Sequence, residues 1–267
     1  MKPVPALRPL PAGIRAITFA FGLLVPLSVH AELSDETLLG PGLRTRPTYD
    51  GSASQRGELV PVVRYFGQTW FARSTQGVLE GGVRMEFQPG LHAGVQLAYE
   101  PGRETSESSF LGNHNVATID PGASLGVHVE WDHKFGPMPI TLLARVRQHS
   151  ESDRGAQADL RLSAGVYRGG HVAAGVFIQS IWANAKSANS FYGITPTQSA
   201  ATGLPAFSAG SGWLSSSFGL LGSLDLSHDW IAVGSMESRH LRGDPAHSPL
   251  VERGANFYAS AGIAYRF

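Results

Sequence analysis

Residues 124–132 read Ser124-Leu125-Gly126-Val127-His128-Val129-Glu130-Trp131-Asp132. Leu125, Val127, Val129 and Trp131 alternate with Ser124, Gly126, His128, Glu130 and Asp132. Successive side chains of a β-strand point to opposite faces, so this stretch has one apolar face and one polar or small face. The same period of two recurs in 140–149, where Ile140, Leu142, Ala144 and Val146 oppose Thr141, Leu143, Arg145, Arg147 and His149. In 157–167, Leu160, Leu162, Ala164 and Val166 oppose Gln157, Asp159, Arg161, Ser163 and Tyr167. Stretches near residues 91–100 and 217–226 repeat it. Period-two patterning marks strands and is incompatible with an amphipathic helix.

A soluble sandwich also alternates. Three further features point to a membrane barrel. The strands are about 10 residues long, the length that crosses hydrocarbon at a tilt. Aromatic residues (Trp70, Tyr99, Trp131, Trp182, Trp230, Phe267) stand near strand ends, as interfacial girdles do. The connections alternate in length. Strands expected at 38–46, 59–66, 69–75, 78–88, 90–100, 122–133, 138–148, 156–168, 170–182, 214–226, 229–241 and 255–267 make twelve. Losing the third and fourth would make ten. With both termini in the periplasm, the periplasmic turns are short. The outer loops, roughly 47–58, 101–121, 149–155, 183–213 and 242–254, are mostly long, apart from a tight third hairpin near Gln76-Gly77. The expected fold is all-β, a closed antiparallel transmembrane β-barrel with short periplasmic turns and long outer loops.

The composition agrees. The chain has 267 residues, 21 Lys+Arg against 21 Asp+Glu, 32 Gly and no Cys. Charged residues are 16% of the total, against roughly 25% in an ordinary soluble domain. Mean hydropathy is −0.05, too low for a bundle of membrane helices. The absence of Cys excludes a disulfide scaffold, a Cys zinc site, a thiol nucleophile and a lipidated N-terminal Cys. Zero net charge leaves no basic footprint for nucleic acid. At the N-terminus, Lys2, Arg8 and Arg15 precede an apolar run, Ala16–Val25, and then Val29-His30-Ala31, with small residues at −3 and −1. This is the pattern of a cleaved secretory signal peptide, residues 1–31, followed by one barrel domain, 32–267. Removing three basic residues and no acid leaves the mature chain mildly acidic.

The last strand carries the most specific signal. Phe257, Ala259, Ala261, Ile263, Tyr265 and Phe267 share one face, and the chain stops on Phe267. A terminal strand ending on an aromatic is what the barrel-assembly machinery recognises, so Ile263, Tyr265 and Phe267 are expected to form the assembly signal.

Several segments also resemble a known family. Arg46-Pro47-Thr48-Tyr49-Asp50-Gly51-Ser52 is similar to the Pro-x-Tyr-Glu/Asp-Gly-Ser segment of the MltA-interacting protein (MipA/OmpV) family of outer-membrane proteins. Ser190–Pro196 with Ser199–Phe207, Leu241–Val251 and the closing Ala264-Tyr265-Arg266-Phe267 are similar to further motifs of that family, in the same order. One departure is Thr202, where the family usually has Ser before Gly-Leu-Pro. Segment 101–121 matches no motif. The resemblance implies an outer-membrane barrel that scaffolds murein-remodelling enzymes, linking a lytic transglycosylase to a bifunctional penicillin-binding protein. Other members are described as porin-like, osmotically regulated or adhesive.

The inward face collects His128, Glu130, Asp132, Arg145, Arg147, Asp159 and Arg161, with Gln179. These could line a charged eyelet or a solute-binding lumen. The reading that weighs more is that they are the mutually paired groups a polar interior needs. His128, Glu130 and Asp132 lie about 6.6–6.8 Å apart per step along one strand, a line that suits no single metal ion, and no cofactor is expected. Candidate catalytic residues, His114, Asp120, His247 and Ser248, are scattered over separate loops, so the chain reads as a non-enzyme. Loop 183–213, with Phe191, Tyr192, Phe207 and Trp213, reads as a mobile surface loop, a lid over the lumen or a protein contact. Three functions follow in order: the murein scaffold implied by the resemblance, a narrow channel or small-solute binder, and a surface adhesin or receptor. The partners expected are outer-membrane lipid and the barrel-assembly machinery, with the transglycosylase and penicillin-binding protein that the resemblance implies.

Overall fold

A computed structural model describes residues 36–75 and 78–267. The signal peptide expected at residues 1–31 lies outside the described residues. Within them the chain forms twelve strands: β1 (Leu38–Pro47), β2 (Gln55–Phe66), β3 (Trp70–Thr75), β4 (Val78–Gln88), β5 (Leu91–Glu100), β6 (Gly122–Phe135), β7 (Met138–His149), β8 (Ala156–Gly169), β9 (Val172–Ala183), β10 (Gly212–Asp225), β11 (Trp230–Leu241) and β12 (Ala255–Arg266). Each pairs antiparallel with its neighbour in sequence, and β1 pairs with β12 to close the barrel. β3 and β4, the elements in doubt from sequence, are both present and pair from Trp70↔Val83 to Thr75↔Val78.

Alternation becomes two surfaces. Leu125, Val127, Val129, Val146, Leu160 and Leu162 face outward, whereas Ser124, His128, Glu130, Arg145, Asp159 and Arg161 are buried in the lumen. Register places partners directly opposite: Val127↔Val146 and His128↔Arg145 between β6 and β7, and Arg145↔Asp159 between β7 and β8. Large inward side chains face small ones. Gly126 lies opposite Arg147, and a Cβ there would stand 2.8 Å from Arg147 Cγ and 2.5 Å from a carbonyl oxygen. That contact is closer than real Cβ atoms show, so the lumen needs Gly at this position.

Tyr167 departs from the simple alternation. It was expected inside, yet it is 57% exposed. The β8–β9 register shifts between Gly165 and Tyr167, and this bulge turns the ring outward. The first outer loop is also shorter than expected. β2 begins at Gln55, which pairs with Pro47, so the connection spans 48–54.

The loops sort by end. Connections at 67–69, 89–90, 136–137, 170–171 and 226–229 lie at the end where β1 begins and β12 ends. The long ones, 101–121, 184–211 and 242–254, lie at the other end with the shorter 48–54 and 150–155. In outer-membrane barrels the short turns are periplasmic and the long loops external. Trp70, Trp131, Trp230, Tyr265 and Phe267 ring the periplasmic end, and Tyr99, Trp182, Trp213 and Phe257 the outer end, all exposed. Trp230 packs edge-on against Tyr265, and Tyr265 against Phe267.

Leu162 sits mid-strand on the outward face of β8. Leu162→Arg should lower barrel stability in lipid by about 2–4 kcal/mol. Denaturant titration of the lipid-embedded barrel checks this. An unchanged midpoint would contradict the inside-outside assignment.

Candidate functional site

The middle of the lumen is crossed by a belt of ion pairs. Glu80 of β4 is 2% exposed, and three side chains donate to it. Arg73 Nε lies 2.5 Å from Oε1, Arg145 Nη1 2.8 Å from Oε2 and Gln96 Nε2 2.9 Å from Oε2. Arg145 also reaches Asp159 through Nε and Nη2, at 3.1 and 2.9 Å. Arg73 Nη1 donates to Glu130 at 2.6 Å. Gln179 donates to Asp159 at 3.2 Å. Arg147 donates to Glu100 at 2.8 Å and comes within 3.9 Å of Asp159. The belt thus joins β3 through β9. Side chains on neighbouring strands meet by register, whereas Arg145 and Glu80 are 65 residues apart and meet across the lumen.

The outer end is roofed. Tyr49, Leu111, Val116, Ile194 and Leu250, from four different connections, form one apolar cluster with Phe110, Leu204 and Phe207 against it. A second cluster joins Ala188, Tyr192 and Ala209 to Leu214 and Leu241 of the wall. Segment 184–211 is ordered by two helices, α2 (Ala185–Tyr192) and α3 (Pro196–Thr202). Asn184 caps α2. α3 has a capping box between Thr195 and Gln198, Pro at its first turn and Gly203 at φ 72° beyond its end. Its composition reads as a loop, although Thr195-Pro196-x-Gln198 followed by Gly203 is a start-and-stop signal. The Thr202 hydroxyl donates to the Gln198 carbonyl and accepts from Leu204 N, which a Ser hydroxyl could also do.

Polar contacts pin the roof to the wall. The Tyr49 hydroxyl donates to the Leu250 carbonyl at 2.9 Å, and Ser248 Oγ to the Tyr192 carbonyl at 2.6 Å. Asn256 Oδ1 accepts from Gly51 N at 2.6 Å, and its Nδ2 donates to the Ser52 carbonyl at 2.9 Å. Asp50 accepts from Arg239 and from the Tyr258 hydroxyl. Burial, then the Glu252 carboxylate, pushes the Tyr49 hydroxyl above its ordinary range. Burial does the same to Tyr192 and pulls the Arg103 guanidinium down. The segments that resemble the family, 46–52, 190–207 and 241–251, are this roof.

Between roof and belt lies a chamber of about 170 Å³, bounded by Arg44, Arg46, Arg103, Arg145, Arg147 and Arg239, with Asp50 and Glu100. Below the belt, towards the periplasm, a vestibule of about 600 Å³ is lined by Arg64, Arg84, Glu86, His92, Asp132 and Lys134 among others.

Of the lumen residues expected from sequence, Glu130, Arg145, Arg147 and Asp159 belong to the belt. His128 packs edge-on to Phe71, and its Nδ1 meets no partner among the described residues. Asp132 also faces the lumen but stands apart from the belt. It lies past the belt, exposed in the vestibule, where Thr141 Oγ1 donates to it at 2.5 Å. Arg161 was expected beside the acids; it stands 4.0 Å over the Phe177 ring and donates to Ser163 Oγ. Arg73, Glu80, Gln96 and Glu100 were missed. They lie on β3–β5, and Glu80 hides in the Gly-rich run Val78-Leu79-Glu80-Gly81-Gly82.

The catalytic candidates hold turns instead. Ser248 is committed to Tyr192 and Leu250, His114 Nδ1 lies 2.9 Å from the Phe110 carbonyl and His247 Nδ1 3.0 Å from that of Gly243. The Asp120 carbonyl accepts from Arg154. Among the described residues no three His, Asp or Glu side chains are placed to hold a metal ion.

Arg145 links two buried carboxylates, and removing one partner of a buried ion pair leaves charge uncompensated. Arg145→Ala should destabilise the barrel by about 3–5 kcal/mol in a denaturant titration. A change below the error of the measurement would mean the belt is not a structural tie.

Comparison with known proteins agrees with the geometry. The chain is 24% identical over 260 residues to the MltA-interacting protein of Escherichia coli (strain K12), covering 93% of this chain and 97% of that one. The MltA-interacting protein of Shigella flexneri matches to the same extent. Among solved structures, an outer membrane channel from Pseudomonas putida F1 superposes with a TM-score of 0.51 over 91% of this chain and all of that one, at 8% identity. This last likeness is one of fold. The profile of the MltA-interacting protein MipA family matches residues 39–267, so the chain belongs to that family of outer-membrane barrels.

Proposed function

We propose that this protein is a non-enzymatic outer-membrane anchor that docks a murein-cleaving lytic transglycosylase, and through it a penicillin-binding protein, at its periplasmic rim. The name shared by the relatives supports the transglycosylase as partner. The observation that carries the reading is the contrast between the two ends. The outer end is roofed by a packed cap and the belt crosses the lumen, arrangements that favour an anchor over a channel. The periplasmic end opens into a vestibule with charges of both signs, Arg84, Lys134, Glu86 and Asp132. With short turns there, a partner would meet the rim and vestibule rather than a loop.

Purified barrel should retain a family-matched transglycosylase in a low-salt pull-down. The double variant Arg84→Glu/Lys134→Glu should weaken retention about tenfold, the effect of roughly 1.4 kcal/mol. No retention by the wild type removes the reading, and equal retention by the variant moves the contact away from the vestibule.

Export through a cleaved signal peptide, residues 1–31, belongs to the same proposal, as does delivery by the barrel-assembly machinery. Ile263, Tyr265 and Phe267 lie on the outward face of β12 and the chain end, with Phe267 73% exposed. Deleting Phe267 should cut the heat-modifiable, membrane-inserted fraction on gels. Normal insertion would refute this role for the terminus.

A further inference from the structure

The chamber between roof and belt has an excess of positive charge that its own carboxylates do not match. Six arginines border it, against Asp50 and Glu100. Most of the six turn to acids. Arg145 takes Glu80 and Asp159. Arg239 takes Asp50 and Glu237. Arg44 and Arg46 share the single carboxylate of Glu58, which Arg56 also engages. Arg147 takes Glu100 through Nη1, and its Nε has no partner among the described residues.

Arg103 differs from the rest. It is 6% exposed, and no carboxylate among the described residues opposes its charge; it stands 5.9 Å from the centre of the Tyr49 ring. Its Nη1 donates to the Phe191 carbonyl at 2.5 Å, and its Nε has no partner. Burying an uncompensated charge costs several kcal/mol or more. Lys or His could shed the proton, but arginine stays charged in proteins. Water could satisfy the N–H groups without neutralising the cation. A bound anion does both.

We propose that the chamber holds one small oxyanion of phosphate or carboxylate chemistry, bound by Arg103 with Arg147 and Arg44. Guanidinium groups present paired donors that match these two anions. The volume sets the size. About 170 Å³ is close to the roughly 150 Å³ cavity that accommodates one benzene molecule. Inorganic phosphate or a short carboxylate fits; a sugar chain or a peptide does not. Tyr49, Phe191 and Tyr192 of the roof line the same chamber, so the ligand lies beneath the packed roof. Arg103 is itself a roof residue, from the segment between β5 and β6, and the anion therefore ties roof to wall.

The enclosure dictates the experiment. The full chain is refolded into lipid with radiolabelled phosphate, desalted and counted, with total ionic strength held constant by chloride. Wild-type barrel should retain one phosphate per chain. Excess unlabelled acetate or sulfate present during refolding identifies the class: competition by acetate indicates a carboxylate site, and competition by sulfate alone a tetrahedral one. Arg103→Gln keeps a donor for the Phe191 carbonyl but loses the charge. Its retention should fall about tenfold, the loss expected for one charge-assisted hydrogen bond. Arg168→Gln, at an exposed position on β8, should retain phosphate fully. The proposal is overturned if wild-type barrel retains no phosphate, or if Arg103→Gln retains as much as wild type. The wild-type measurement decides alone where the variant does not refold.

Discussion

Backbone pairing between β1 and β12 is the interaction on which the rest of the molecule depends. Leu38 to Thr45 pair with Arg266 to Ala259, and the sheet thereby has no edge. Hydrocarbon offers no hydrogen-bond partner, so an open edge would leave a row of N–H and C=O groups unsatisfied at a cost of several kcal/mol each. Closure has a second effect. It turns one face of every strand towards a space of fixed width. The outward face meets lipid and needs only apolar bulk. The inward face meets itself, and each charge placed there must find its opposite within reach.

This explains why the two faces were unequally legible. The outward positions repeat every second residue, and the exposure of Leu125, Val127, Leu160 and Ile263 follows from that period alone. Inward neighbours on adjacent strands also follow, because register brings Arg145 opposite Asp159. The contact of Arg145 with Glu80 does not follow. It spans the lumen, and which residues meet there depends on strand tilt and barrel width, quantities that no local pattern records. The separation of Asp132 from the belt is illegible for a related reason: alternation gives a side chain's face but not its depth along the axis. Tyr167 failed because a bulge is one residue of extra chain, invisible to a strict period of two.

The roof obeys other rules. Its segments carry no alternation, and their helices are short, so hydrophobic periodicity has little to report. Their information lies in single residues: the Thr195–Gln198 capping box, the positive φ of Gly203, the hydroxyls of Tyr49 and Ser248. The family-like segments are legible as motifs in the sequence, but their mutual contact is not. In the folded chain they pack on one another through Tyr49, Ile194 and Leu250. In this chain three of the four shared motifs thus build one lid over the lumen.

The span of those lid contacts has a consequence for how the molecule is made. Tyr49 and Leu250 are 201 residues apart, and Gly51 and Asn256 are 205 apart. Bringing such distant points together in an open chain is entropically costly, and it yields little until both are already near. The first and last hairpins become neighbours only when the barrel shuts. These two lid contacts therefore form only once the barrel has shut. The lid's outer surface, once packed, distinguishes a finished molecule from a stalled one, so protease resistance of the external segments is a clock for completed assembly.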